Sequence, residues 1–205
     1  MILREVGFDE VFDSQATFRV LLDSMSRPGK VSQMPRSTYR APPRGFCPPA
    51  LSILKTLCDH RVSFSIGGAH ARAEWIRYLE VNLATPFKIV ENAAYVLFDG
   101  GAYDGGFARM NRGSLEFPES SATALLCVMG VLQDSDDTEG PVCDLVLTGP
   151  GVKDKARLSV AGLDPAYAAE RQKANRHFPL GVDLFLVDAE RRVAGIPRTS
   201  TVEIA

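Results

Sequence analysis

Histidine and cysteine are scarce in this chain of 205 residues, which holds three of the first and four of the second. His60, His70 and His177 stand too far apart to form a local metal motif such as H-E-x-x-H, and each reads as a surface or loop residue. Cys47, Cys58, Cys127 and Cys143 form no C-x-x-C pair, and the last three adjoin apolar segments. Reduced thiols in a cytoplasmic protein are therefore expected. An excess of either charge is also missing: 23 basic residues face 25 acidic ones, for a net charge of −2. No basic field exists to hold a nucleic-acid backbone, although a local arginine cluster could still meet an acidic small molecule. The longest uncharged apolar run, ATALLCVMGVL (122–132), is shorter than the ~20 residues a membrane-spanning helix needs. The first residues, MILREVGFDEVFD, carry acidic groups and do not read as a signal peptide.

Familiar catalytic and nucleotide-binding loops are absent as well. Gly149-Pro150-Gly151 follows a strand-like run but lacks the later glycine of G-x-G-x-x-G, and neither G-x-x-x-x-G-K-[ST] nor G-x-S-x-G occurs. Ser52-x-x-Lys55 matches a serine–lysine pair in spacing only, on an amphipathic helix where Lys55 is expected on the solvated face. The acidic stretch QDSDDTEGP (133–141) lacks the glycine and terminal glutamate of a calcium loop. Glu116 and Glu119 flank Phe117-Pro118 and read as carboxylates solvating a turn.

Periodicity supplies the elements. A helix over 14–26 follows Asp13 as a plausible N-cap and ends at Arg27-Pro28-Gly29. Five prolines within 31–49 predict an ordered arm over the surface, and Pro48-Pro49 opens a second helix through Cys58. Strands are expected at 61–66, 94–99, 142–148 and 155–160, with Ala122–Leu132 as one central strand. Helices are expected over 71–83, 104–110 and 165–176, the last capped by Asp164 ahead of Pro165. Several strand pairs are joined too tightly for crossover helices, so the fold class is α/β: one layered domain, 1–205, around a mixed sheet.

The C-terminal stretch FPLGVDLFLVD (178–188) poses the sharpest question, because Asp183 interrupts a run that should be buried. If the strands pair around Glu190-Arg191-Arg192, Asp183 meets Arg198 in the sequence IPRTS (196–200). A buried carboxylate needs a cationic or amide partner. Two readings stay open: a structural ion pair, or an arginine-lined anion pocket. No catalytic residue and no metal ligand is assigned.

Taken together, DSQATFRVLLDSMSRPG, LEFPESSATALL, LTGPGV and FPLGVDLFLVD…IPRTS resemble the PhnH family in order and spacing across essentially the whole chain. The resemblance implies a subunit of the bacterial carbon–phosphorus lyase machinery. Such subunits assist coupling of a phosphonate to the ribose of a nucleoside triphosphate, giving a ribose 1-alkylphosphonate 5-triphosphate. It also implies a homodimer within a larger core complex of partner subunits. The implied fold is akin to the large domain of pyridoxal-phosphate (PLP) transferases but lacks the cofactor. The six lysines, in turns, loops or polar helix faces, agree with PLP being absent. Arg27 and Arg198 are then the arginines expected to touch a phosphonate or triphosphate, with Asp183 and Thr199 beside them at an anion site or subunit interface. The alternative is a self-sufficient hydrolase or transferase of phospho-sugars or nucleotides.

Overall fold

In the computed structural model, residues 4–67, 73–133 and 141–205 are described. His70, the start of the expected 71–83 helix and most of the acidic 133–141 loop lie outside them. In chain order the elements are α1 (Phe12–Ser26), β1 (Ser32–Gln33), α2 (Pro48–Leu57), β2 (Phe64–Ile66), α3 (Ala73–Leu83), β3 (Tyr95–Asp99) and β4 (Thr123–Cys127). They continue with β5 (Gly130–Leu132), β6 (Val142–Thr148), β7 (Ala156–Ala161), α4 (Ala166–Ala174), β8 (Asp183–Val187), β9 (Arg192–Ile196) and β10 (Thr201–Ile204).

The class is mixed α/β, but two sheets are present where one was expected. The first has the order β1-β9-β8-β4-β3-β2; β2, β3, β4 and β8 run parallel, and β9 and β1 close one edge antiparallel. The second is antiparallel, in the order β10-β6-β7-β5. The whole second sheet except β10 is inserted, with α4, into the crossover from β4 to β8.

Two core clusters fix three layers. Val96, Phe98, Leu126, Leu184 and Leu186 face the second sheet and α4, while Leu97, Leu125, Phe185 and Val187 face α1, α2 and α3. Strands covered on both faces need apolar side chains at every position, which explains unbroken runs such as LFLV. The same lack of alternation hid a break in 122–132. That segment is two strands, β4 in the first sheet and β5 in the second, turning at Val128-Met129, where Val128 N–H donates to Val187 and Met129 N–H to Ala161.

Smaller differences have local causes. Asp9, not Asp13, caps α1: its Oδ1 accepts from the N–H of Val11 and Phe12, and its own N–H donates to Asp13 Oδ2. The 104–110 helix is a single tight turn at 107–109. The proline-rich arm does more than cross the surface, since β1 extends the first sheet and Met34 and Phe46 are buried. Glu5, itself buried, accepts from the N–H of Arg40 and Ala41 and from Tyr78 Oη, pinning the arm to α3. Lys55 is half-buried rather than solvated, 5.7 Å from the centre of the Phe8 ring, and Ser52 bonds to Tyr39 and Ser37 instead of to it.

Candidate functional site

The hairpin of β8 and β9 brings Asp183 and Arg198 together at its open end. Asp183 begins β8 and Arg198 follows β9 by two residues, so antiparallel pairing of Leu184 with Ile196 sets the two side chains alongside. Asp183 Oδ2 accepts from Arg198 Nη2 at 2.6 Å and from Nε at 3.2 Å, and Oδ1 accepts from the Arg198 backbone N–H at 2.7 Å. Arg198 Nη1 donates to Pro118 O at 2.8 Å. The carboxylate has both the cation and the amide that its position requires. This geometry favours the ion pair over a free anion receptor, because the Arg198 fork is already engaged on both sides. It also explains the LEFPES corner: the Pro118 carbonyl is the acceptor that ties this turn to the hairpin.

A cleft of about 660 Å³ opens beside this pair, between α4 and the turn from β9 to β10. Arg198 and exposed Thr199 line it together with Arg171, Arg176 and Ser200. Arg27 does not. It caps the far end of α1, exposed and paired with Asp23, and lines a separate, shallower cleft with Lys30 and Lys153. Between the two clefts lies the Gly149-Pro150-Gly151 corner. A Cβ on Gly149 would stand 2.9 Å from Thr199 O, and one on Gly151 would stand 2.5 Å from Ser26 O. Both residues have positive φ. Glycine is required there by close backbone approach as well as by conformation.

Sequence reasoning missed Arg171. It is 1% exposed, and its guanidinium donates to the carbonyls of Ser200 (3.1 Å), Ile196 (3.3 Å) and Pro197 (2.5 Å). Burial pulls its pKa down to about 10, opposed by the charge of Asp183. Among the described residues no carboxylate stands within ion-pair distance of it, and Asp183 is held by Arg198. Its signal was available: Tyr167, Ala168, Arg171 and Ala174 share the buried face of α4, so the arginine falls within an otherwise apolar stripe.

A second cleft, about 780 Å³, lies at the carboxyl ends of β3 and β4, where open α/β sheets commonly bind ligands. Asp99, Asp164, Cys47 and Cys127 line it. Its polar groups are mostly used locally: Asp164 accepts from the N–H of Ala166 and Tyr103, which delivers the predicted helix cap, and Asp99 accepts from Gly101. Among the described residues no group of three His, Cys, Asp or Glu side chains could hold a metal ion. His60 and His177 are exposed.

Residues 7–203 match the family described as bacterial phosphonate metabolism protein (PhnH). The chain belongs to the PhnH family. A putative C-P lyase subunit protein, HtxG of Stutzerimonas stutzeri, is 35% identical over 190 residues, covering 93% of this chain and 86% of the relative. The subunit PhnH of alpha-D-ribose 1-methylphosphonate 5-triphosphate synthase from Rhizobium meliloti (strain 1021) is 31% identical over 199 residues, covering 95% and 92%. The four sequence stretches first singled out all fall inside the matched region.

Proposed function

We propose that this chain is a subunit of a carbon–phosphorus lyase core complex. There it assists formation of a ribose 1-alkylphosphonate 5-triphosphate from a nucleoside triphosphate and a phosphonate. The observation that carries the reading is near-complete alignment with a relative named as a subunit of that synthase. Its partners are a second copy of itself and the other subunits, with reactive groups supplied by those companions. An exposed apolar stripe running from Val11, just ahead of α1, to Phe18 and Leu22 on it provides surface for such contacts. The chain works without PLP: Lys55 is only half-buried and the other five lysines are exposed, so none offers the enclosed amine a Schiff base needs. The run of parallel strands β2-β3-β4-β8 fits a fold related to the large domain of PLP transferases. Four free cysteines accord with a reducing, cytoplasmic setting.

The test is complementation. A host lacking its own copy should regain growth on methylphosphonate as sole phosphorus source when given this chain, and tagged chain should bring down partner subunits. Steady turnover of nucleoside triphosphate and methylphosphonate by the purified chain alone would instead establish the self-sufficient transferase reading.

A further inference from the structure

The cleft between α4 and the β9–β10 turn contains two buried polar groups with nothing to bind. Arg171 Nε and Ser200 Oγ are both solvent-inaccessible and without a hydrogen-bond partner, and both residues line the same cavity. Ser200 is 4% exposed and Arg171 1% exposed. A buried donor left unmatched is costly, and native structures rarely tolerate one without use for it. Here two occur side by side, since the Ser200 carbonyl itself accepts from Arg171 Nη1.

Charge points the same way. Three arginines, Arg171, Arg176 and Arg198, line the cleft and, among the described residues, no carboxylate does; Asp183, behind it, is engaged by Arg198. Arg176 stands exposed at the rim, so the cavity runs from a solvated cation inward to a desolvated one. Three backbone carbonyls hold the Arg171 guanidinium in place, so its orientation does not depend on a ligand. A preorganised cation lacking a counter-anion, a hydroxyl able to donate and a second arginine at the entrance form the donor set of a phosphorus-oxyanion site.

We propose that this cleft binds a tetrahedral phosphorus oxyanion, with Arg171 and Ser200 as the inner contacts and Arg176 as the outer one. The proposal deepens the functional reading given above, which supplies only the choice of probes: the group is either a phosphonate or the phosphate chain of a nucleoside triphosphate. Arg198 serves as a positioning residue, holding the Pro197–Ser200 turn against Asp183 so that Ser200 stays beside Arg171. Arg27 lies outside the site.

The experiment titrates inorganic phosphate, methylphosphonate and ATP into the purified chain, with calorimetry and thermal unfolding as readouts. Saturable binding is expected for at least one probe, with a rise in Tm of about 5–10 °C at a hundredfold excess over Kd. Methylphosphonate binding alone identifies the phosphonate as the source, and ATP binding alone identifies the triphosphate. Ser200→Ala should weaken binding about tenfold, the effect of one charge-assisted hydrogen bond. It should leave the unliganded Tm unchanged or slightly higher, because it removes an unmatched buried hydroxyl. Arg176→Ala should weaken binding about threefold and flatten its salt dependence. The proposal is overturned if no probe binds saturably, or if binding survives both substitutions at parental affinity. Failure of the unaltered chain to complement growth would tell against the function alone, and the titrations would still decide the site.

Discussion

Replacing Asp183 by alanine should destabilise the protein by about 3 kcal/mol. The carboxylate accepts from the Arg198 backbone N–H at 2.7 Å and from its guanidinium at 2.6 and 3.2 Å, with side-chain exposures of 24% and 17% for the two partners. Breaking a buried pair from one side costs about 3–5 kcal/mol, because the surviving charge is left desolvated and alone. About a fifth of each side chain remains wet here, so the lower end of that range applies. For a chain of this length the loss corresponds to a Tm drop of about 6–12 °C. Urea unfolding followed by circular dichroism gives the free energy directly. Asp183→Asn, which keeps an acceptor for the Arg198 N–H, should cost about 1–2 kcal/mol less than alanine. In the double variant with Arg198→Met the stranded cation is gone, so part of the loss should return, with a coupling energy of about 2 kcal/mol. An alanine variant within about 0.5 kcal/mol of the parent, or strict additivity in the double variant, would refute the account of Asp183 as a desolvated, paired carboxylate.

Other perturbations test other joints. Asp188 is fully buried and accepts from Arg192 Nε at 2.6 Å, from the Arg192 N–H at 2.9 Å and from the Val131 N–H at 3.0 Å, tying the hairpin to β5. Asp188→Ala should therefore cost about 3–5 kcal/mol in chemical denaturation. Gly195 lies under α1, where a Cβ would stand 2.8 Å from Met25 N, so Gly195→Val should lower stability by about 1–3 kcal/mol through overpacking, read as a shift in urea midpoint. Burial pushes the Cys58 thiol and the Tyr39 and Tyr95 phenols up to about 12 and raises Cys143, while a hydrogen bond with Cys47, and then burial, raises Cys127. These acids hold their protons more tightly when folded, so the stability they confer is intact below pH 9 and lost as pH rises toward 12. Unfolding free energy should be level from pH 7 to 8.5 and fall beyond pH 9, and native thiol labelling should accelerate with pH through 9 without a plateau.

The C-terminal hairpin was legible because its logic is local. A carboxylate within an apolar run requires a partner, and a short turn delivers Arg198 to it. Helix α4 was equally readable from Asp164-Pro165, and α2 from its proline pair. The split of 122–132 was not, since residues buried on both faces carry no alternation and a change of sheet leaves no polar mark. The second sheet was half visible: β6 and β7 form a hairpin, but β10 is only TVEI, and its pairing with β6 joins positions more than fifty residues apart. Arg171 escaped for another reason. In AERQKANR every charged residue looks like solvated helix surface, and only the 3.6-residue period places this one inward.

That inward turn links fold to site. Inserting a second sheet and α4 between β4 and β8 covers the face of the first sheet that α1, α2 and α3 leave open, and it also sets the α4 face against the chain leaving β9. The carbonyls at that exit, of Ile196 at the end of β9 and of Pro197 and Ser200 beyond it, require donors, and the Ser200 N–H already supplies one to Pro197 O. Arg171 meets that need, which accounts for an arginine in an apolar stripe but not for its positive charge going uncompensated. A neutral donor such as glutamine could serve two of the carbonyls without the desolvation that drags the arginine pKa downward. Keeping the full charge, an idle Nε–H and an idle neighbouring hydroxyl makes physical sense for a cleft that is electrically complete only when an anion enters.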